Sequence, residues 1–281
     1  MSSQGDIVET PKPDSAGFSA YHEVTASRMA GNKREETIDN VADETPIALV
    51  YNGEPHVVML ATPRDLEDFA VGFSLSEGII KEAGEIQYLD VTPCQPGIQI
   101  HIRVPYENGL SVAQRQRNLT GRTGCGLCGT ALIEDAVKET PVVATEVKIE
   151  SKALLAGLSK LGSHQPLNAT TGAVHAAAWA DSSGEIQKLR EDVGRHNALD
   201  KLIGALYRGD RPDLEAGFAI VTSRASYEMV SKSAFAGIAI LVAISAPTSL
   251  AINIARKSNI TLVGFARDRS YVIYTHPQRI I

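Results

Sequence analysis

FAIVTSRASYEMVSKSAFAGIAILVAISAPTSLAINIARKSNITLVGFA, residues 218–266, alternates two kinds of segment. Phe218–Thr222, Ile238–Ile244 and Ile260–Ala266 are short apolar runs with the length and β-branched content of buried strands. Between them, Tyr227–Ala236 and Ser249–Lys257 carry apolar residues at helical spacing. Strand, helix, strand, helix, strand in that order requires crossover helices over a largely parallel sheet, which sets the fold class as α/β with a three-layer arrangement. Each strand ends in a small, polar or basic turn: Ser223-Arg224-Ala225-Ser226, Ser245-Ala246-Pro247-Thr248 and Arg267-Asp268-Arg269. Ligands of open α/β sheets bind at the carboxyl ends of the strands, so these turns form a candidate site. Two of them lead into helix starts, where free N–H groups attract phosphate. Plain helix capping by Ser226 and Thr248 explains those two residues equally well.

Upstream, the same reading gives a helix after Ser151, strands near Ala173–Ala180 and Glu185–Arg190, and a helix from about His196 to Tyr207. The run Glu191-Asp192-Val193-Gly194-Arg195-His196-Asn197 packs charge, a glycine and a histidine at a strand-to-helix junction. A role in catalysis or cofactor contact fits it, and so does structural capping by Asn197 with a carboxylate–arginine pair. Earlier still, Pro46–Tyr51 and His56–Ala61 flank Asn52-Gly53 as a β-hairpin. A helix over about 63–77 is expected, with Thr62 as N-cap, Pro63 at the first helical position and Gly78 at the stop. Strands at Ile86–Val91 and Ile98–Val104 follow, then a polar helix through Gln114–Asn118. The expected organisation is a flexible tail over 1–20, a smaller N-terminal α+β domain over 21–145, and a C-terminal α/β domain over 146–281.

At the end of the first half, Gly121-Arg122-Thr123-Gly124-Cys125-Gly126-Leu127-Cys128-Gly129 sets two of the chain's three cysteines in a C-x-x-C pair within a glycine-rich loop. Glycines let the backbone take positive φ and expose the sulfurs. A helix expected over Thr130–Glu139 places Cys128 near its positive end, where a thiolate is favoured. Three chemistries use such a pair: half of a structural zinc site, a thioredoxin-like dithiol, and a thiol that carries sulfur as a persulfide. Zinc needs four ligands, and no second pair or close histidine pair is present; Cys94, His101, His164 and His175 complete a site only if the fold gathers them. A thioredoxin-like pair belongs between the first strand and helix of a small βαβ domain, whereas here over a hundred unrelated residues precede it. Cys94, in Thr92-Pro93-Cys94-Gln95-Pro96, reads as a turn residue without a catalytic task.

The 281 residues are 43% hydrophobic, enough for a core without metal or disulfide support. The first twenty residues lack the pattern of a signal peptide, and three cysteines are too few for a secreted disulfide framework, so a reducing cytoplasm is expected. The most apolar run, Ala234–Pro247, is shorter than the ~18 residues of a membrane span. A net charge of −6 argues against a nucleic-acid binder, and any anionic ligand must meet local cations, which cluster at Arg115, Arg117 and Arg122 and at Arg267 and Arg269.

Four stretches together, TGCGLCG (123–129), PRDLEDFAVGFSLSEGII (63–80), EDVGRHNALDKLIG (191–204) and TSRASYEMVSKSAFAGIAILVAISAPTSLAINIA (222–255), resemble the FdhD/NarQ family of formate dehydrogenase accessory sulfurtransferases. The resemblance covers about residues 20–281. It implies that a cysteine desulfurase loads a persulfide onto a loop cysteine, and that the sulfur passes to the bis-molybdopterin guanine dinucleotide of formate dehydrogenase before insertion into the apoenzyme. Cys125 and Cys128 are then the catalytic residues. Cys125, flanked by Gly124 and Gly126, is the more accessible carrier; Cys128 relays sulfur or resolves the persulfide as a disulfide.

The resemblance also places the cofactor-binding stretch at Phe265-Ala266-Arg267-Asp268-Arg269-Ser270. The Asp268 carboxylate matches the N1–H and 2-amino donors of guanine, and Arg267 and Arg269 suit diphosphate, so guanine nucleotide fragments are expected to bind. For the C-terminal domain it implies a cytidine deaminase-like fold. Deaminase chemistry is not expected: it needs His-x-Glu followed by Pro-Cys-x-x-Cys, whereas these cysteines precede His175, and His175-Ala176-Ala177 lacks the general acid/base. No structural metal is expected. The alternative is a non-enzymatic cofactor-binding chaperone whose cysteines form a clip; the oligomeric state, a homodimer included, stays open.

Overall fold

The computed structural model describes residues 18–109, 139–208, 214–267 and 269–281. The 218–266 stretch folds in the order read from it. Strands β9 (Gly217–Val221), β10 (Ile240–Ala243) and β11 (Thr261–Arg267) pair in parallel, joined by helices α5 (Tyr227–Phe235) and α6 (Ser249–Lys257). Phe218, Ile220, Leu241, Val242 and Leu262 are fully buried, as expected of parallel strands covered on both faces.

Three further strands complete this sheet, and they correct the largely parallel expectation. The order is β12-β11-β10-β9-β7-β8, where β7 (His175–Asp181) runs antiparallel to β9 and to β8 (Ile186–Asp192), and β12 (Ser270–Ile273) antiparallel to β11. The cause is loop length. A turn around Ser183-Gly184, with Gly184 at φ 85°, joins β7 to β8, and two residues join β11 to β12; parallel neighbours need a crossover of a dozen or more. Helix α2 (Ser151–Leu161) packs on the sheet, with Gly157 against Phe218, Ile220 and Ala180, and the short α3 (Pro166–Thr171) follows it.

A second sheet has the order β4-β3-β6-β5, made of β3 (Thr45–Tyr51), β4 (Glu54–Ala61), β5 (Tyr88–Cys94) and β6 (Gly97–Arg103). The β3–β4 hairpin turns at Asn52 (φ 51°) and Gly53 (φ 88°) as read from the sequence. A ribbon of β1 (Tyr21–Ala30) and β2 (Lys33–Ala42) stands apart as a third sheet. Its mostly exposed, charge-rich strands carry little alternation, so the sequence pattern did not reveal it.

Between the two larger sheets lies helix α1 (Leu66–Ser76), crossing α4 (Arg195–Arg208). A Cβ added at Gly72 would lie 1.7 Å from the Asp200 carbonyl oxygen, and one at Gly204 1.8 Å from that of Asp68, so the helices touch backbone to backbone. Asp68 binds Arg190 and Arg208, both at 2.7 Å, and the buried Asp200 binds Lys232 at 2.9 Å and the Ser76 hydroxyl at 2.5 Å. One apolar core runs from Ile47, Leu49 and Ile100 through Phe69 to Leu199, Leu202, Ile220 and Leu241.

Helix α1 starts three residues later than expected. Its N-cap is Asp65, at φ 54°, and not Thr62. Thr62 instead donates its N–H to Asp192 Oδ2 (3.0 Å) and accepts the Val193 N–H on its hydroxyl (3.1 Å), tying the β4–α1 connection to the end of β8. Gly78, at φ 66°, ends the helix as expected. Among the described residues, no helix is long and apolar enough to cross a membrane.

Candidate functional site

Backbone hydrogen bonds join the strand ends into one rim. Thr222 N–H donates to Ala176 O (3.0 Å), Ser245 N–H to Ser223 O (3.4 Å), Phe265 N–H to Ser245 O (3.2 Å) and Thr248 N–H to Ala225 O (3.1 Å). The turns that follow β9 and β10 therefore meet, as their positions in the sequence implied, and Phe265 near the end of β11 bonds to the second of them. Because β7 is antiparallel, its first residue, His175, opens onto the same rim and pairs in register with Asp192 at the end of β8. The rim thus also gathers residues 191–197. Sequence reasoning left His175 unplaced; only the direction of β7 brings it here.

The 191–197 run divides into a scaffold and an exposed remainder. Glu191 accepts the N–H groups of Leu167 (2.9 Å) and Asn168 (2.8 Å) at the start of α3; burial pushes its carboxyl up, and those two bonds oppose the shift. Asp192, fully buried, accepts from Gly194 N–H (2.7 Å) and Asn197 Nδ2 (3.0 Å) on one oxygen, and from Thr62 N–H and Lys201 Nζ (2.6 Å) on the other. Lys201 also donates to Thr62 O (2.8 Å), and Asn197 to Leu60 O (2.8 Å). Four of the buried groups are therefore spent on holding β8, α4 and the β4–α1 connection together. Arg195 and His196 remain for the rim.

His196 Nε2 lies 2.7 Å from Glu228 Oε2 and 3.5 Å from the Ser226 hydroxyl. Burial lowers the His196 pKa below the ordinary histidine value, Glu228 pulls it back up, and the charges of Arg195 and Lys232 push it further down. His175 is lowered by burial and then by Arg195, against Asp192. Both imidazoles are thus biased toward the neutral form. The capping alternative divides in the same way. Thr248 does cap, accepting the Ala251 N–H at 3.2 Å, whereas Ser226 makes no side-chain cap at the head of α5.

In the β11–β12 segment, Phe265 and Arg269 hold left-handed backbone, φ 52° and 63°, around a register shift between Gly264 and Arg267. For a bulky aromatic this conformation costs about 1–3 kcal/mol. It leaves the Phe265 ring 41% exposed at the rim, beside exposed Arg267 and Arg269. Ala266 is buried, and the Ser270 hydroxyl donates to Arg267 O (3.1 Å).

Several candidates lie outside the described residues: Cys125, Cys128, Arg115, Arg117, Arg122, Asp268, and the helices expected through Gln114–Asn118 and over Thr130–Glu139. Cys94 is exposed and is the last residue of β5, immediately before the turn to β6. Among the described residues, no group of three or more His, Cys, Asp or Glu side chains is arranged to hold a metal ion.

The FdhD/NarQ family model matches residues 42–281. The chain belongs to that family. A protein named sulfur carrier protein FdhD from Xanthomonas euvesicatoria pv. vesicatoria is 53% identical over 256 residues, 91% of each chain. One of the same name from Bordetella petrii is 48% identical over 242 residues, covering 86% of this chain and 87% of its own. A crystal structure of a candidate formate dehydrogenase accessory protein from Desulfotalea psychrophila superposes with a TM-score of 0.72 at 25% identity, over 94% of this chain and all of that one. The FdhD/NarQ match reaches across both larger sheets and includes the C-x-x-C loop and the whole rim, so family membership covers every candidate residue.

Proposed function

We propose that this chain is a sulfurtransferase in formate dehydrogenase maturation, carrying sulfur on Cys125 to the bis-molybdopterin guanine dinucleotide that the dehydrogenase apoenzyme will receive. The observation that carries this reading is 53% identity, over 91% of both chains, to a protein named sulfur carrier protein FdhD. The Cys125 thiolate attacks the sulfane sulfur of a cysteine desulfurase persulfide. A new S–S bond forms, the donor S–S bond breaks, and the desulfurase leaves as a thiolate, so no external oxidant or reductant enters this step. Delivery breaks the Cys125–S–SH bond: Cys128 attacks the Cys125 sulfur, a Cys125–Cys128 disulfide forms, and the terminal sulfur leaves at the sulfide level for the molybdenum centre of the bound substrate, a cellular dithiol later reducing the disulfide; as a relay, Cys128 first takes the sulfane sulfur by the same thiol–disulfide exchange.

On this reading residues 146–281 form the cofactor-binding domain. Phe265, Arg267, Asp268, Arg269 and Ser270 receive the guanine nucleotide part of the substrate, with Ala266 as buried support. The strand order β8-β7-β9-β10-β11, an antiparallel hairpin followed by parallel strands, supports relating this domain to the cytidine deaminase-like fold. The exposed Phe265 ring beside two arginines supports the guanine assignment, since an aromatic face and guanidinium groups suit a base with a diphosphate. A reducing cytoplasm is the compartment in which such a thiol pair stays available.

The deciding experiment incubates the protein with a cysteine desulfurase and cysteine and maps persulfide by mass spectrometry. Persulfide on Cys125 supports the reading. Its absence, with the desulfurase turning over, rejects it.

A further inference from the structure

Strand β8 ends the six-stranded sheet: β7 pairs with one side of it, and among the described residues no strand pairs with the other. The ladder fixes which backbone groups that open side shows. Thr222 N–H donates to Ala176 O (3.0 Å) and Ala176 N–H to the Thr222 hydroxyl (2.9 Å), so the peptide groups of Ala176 turn toward β9 and away from β8. Its register partner Glu191 therefore has no backbone bond to β7, and by the alternation of an antiparallel ladder neither has Leu189. Both N–H groups face outward. The Leu189 carbonyl, turned the same way, accepts from Arg190 Nη1 (2.8 Å).

A groove of about 190 Å³ runs along this edge. Residues 186–191, consecutive in β8, line one wall, as an edge groove allows and a cleft on one sheet face does not, because successive side chains alternate between faces. Arg64 and Asp65 of the β4–α1 connection, with His164, Pro166 and Leu167 around the start of α3, line the other. The volume suits single side chains of an extended chain and is too small for a dinucleotide. The acids of the groove are engaged: Asp65 lies 3.5 Å from Arg190, and Glu191 accepts two N–H groups of α3. Arg64 and Lys188, both half-buried, have no side-chain hydrogen bond or ion pair among the described residues. Two surplus cations beside outward strand N–H groups fit a chain that brings carboxylates and backbone carbonyls together. We propose that the open edge of β8 docks an acidic, extended segment of a partner protein, added as a strand along residues 187–191 with its carboxylates on Arg64 and Lys188. A second copy of this chain fits less well: antiparallel self-pairing centred on Leu189, the register of greatest overlap, sets Lys188 opposite Arg190 of the second copy twice. This site does not rest on the sulfur-transfer reading.

The probe is a short fluorophore-labelled peptide alternating Thr and Glu, amidated at its C-terminus and titrated against the full chain by fluorescence anisotropy. The wild type should bind it, and Arg64→Gln/Lys188→Gln should bind it roughly threefold to thirtyfold more weakly, the range for two partly exposed ion pairs. The same peptide N-methylated at alternate residues keeps its charge but loses strand pairing, and should bind the wild type about tenfold more weakly. On binding of the unmethylated peptide, amide hydrogen exchange should slow at Leu189 and Glu191. No binding by the wild type overturns the proposal and leaves Lys188 as a guard of an edge strand. Equal binding by Arg64→Gln/Lys188→Gln, or of the N-methylated peptide, also overturns it. Exchange at Leu189 and Glu191 that slows with protein concentration before any peptide is added overturns it in favour of a second copy. An unchanged melting temperature certifies the double variant; if it does not fold, the N-methylated peptide and the exchange of the wild type decide alone.

Discussion

Replacing Lys201 with Met tests whether the buried ion pair holds the rim in place. Lys201 and Asp192 are both fully buried and 2.6 Å apart, and Lys201 also donates to the Thr62 carbonyl. Lys201→Met keeps the volume and removes the cation, leaving the Asp192 carboxylate with its three N–H donors from Thr62, Gly194 and Asn197. Breaking one side of a buried pair costs about 3–5 kcal/mol, and the three remaining donors place this case near 3. At roughly 2–4 °C per kcal/mol for a chain of this size, the melting temperature should fall by about 6–12 °C. Lys201→Met/Asp192→Asn removes the orphaned charge, and the amide oxygen still accepts from Gly194 and Asn197, although the amide N–H₂ in place of Oδ2 no longer accepts the Thr62 N–H. The double variant should therefore regain at least about 1 kcal/mol over the single one. Scanning calorimetry on the three proteins decides it. A single variant that melts within about 2 °C of wild type, a loss of less than about 1 kcal/mol, or a double variant no better than the single, would refute the reasoning.

Cys125→Ala should fold normally yet fail to activate formate dehydrogenase, whereas Cys128→Ala should lose less; a complementation assay with both variants ranks the two thiols, and wild-type activity of Cys125→Ala removes it from the mechanism. Gly204→Ala places a methyl 1.8 Å from the Asp68 carbonyl, a backbone obstacle, and should cost about 3 kcal/mol, the top of the usual overpacking range. Gly84→Ala meets nothing within 4 Å and should leave the melting temperature unchanged; similar melting of the two variants would contradict the close α1–α4 crossing. Because burial lowers the pKa of His175 and His196 in the folded chain, their contribution to stability is full above the ordinary histidine value near 6.5 and fades as pH falls through their folded values. His175→Gln/His196→Gln should therefore lose less stability than wild type between pH 7.5 and 5.5, and parallel pH curves for the two proteins would count against the lowered values.

What the sequence disclosed about the fold follows from which forces are local. The β9–β11 region combines short apolar runs, helical spacing and crossover-length connections, all readable within fifty residues. The direction of β7 depends on pairing with β9, some forty residues downstream, and the largely parallel expectation failed there because the 218–266 pattern was extended too far upstream. The start of α1 failed for a related reason. Thr62-Pro63-Arg64-Asp65 contains the residue types of a helix start, but Thr62 bonds to Asp192 and Val193, some 130 residues away, and that tertiary attachment delays the helix to Leu66. Capping chemistry names the residue types, while the winning partner is set by the packed structure.

The candidate site was legible to the extent that it follows chain direction. Turns after parallel strands must share an edge, so residues 223–226 and 245–248 met as expected, with Phe265 bonded to the second turn. The division of labour within residues 191–197 was not legible, because charge type alone does not say which carboxylate is consumed. Only the geometry shows Asp192 saturated by four donors and Arg195 Nε left without an acceptor among the described residues. That asymmetry has a mechanistic consequence. An arginine neutralised by Asp192 would be a structural clamp, and its loss would appear as reduced stability, like that of Lys201. Arg195 forms no such clamp with Asp192, whose four donors come from Thr62, Gly194, Asn197 and Lys201. Lys201→Met and Arg195→Gln should therefore separate in scanning calorimetry: the first lowers the melting temperature, the second leaves it within about 2 °C of wild type, although only five residues lie between them in the same helix.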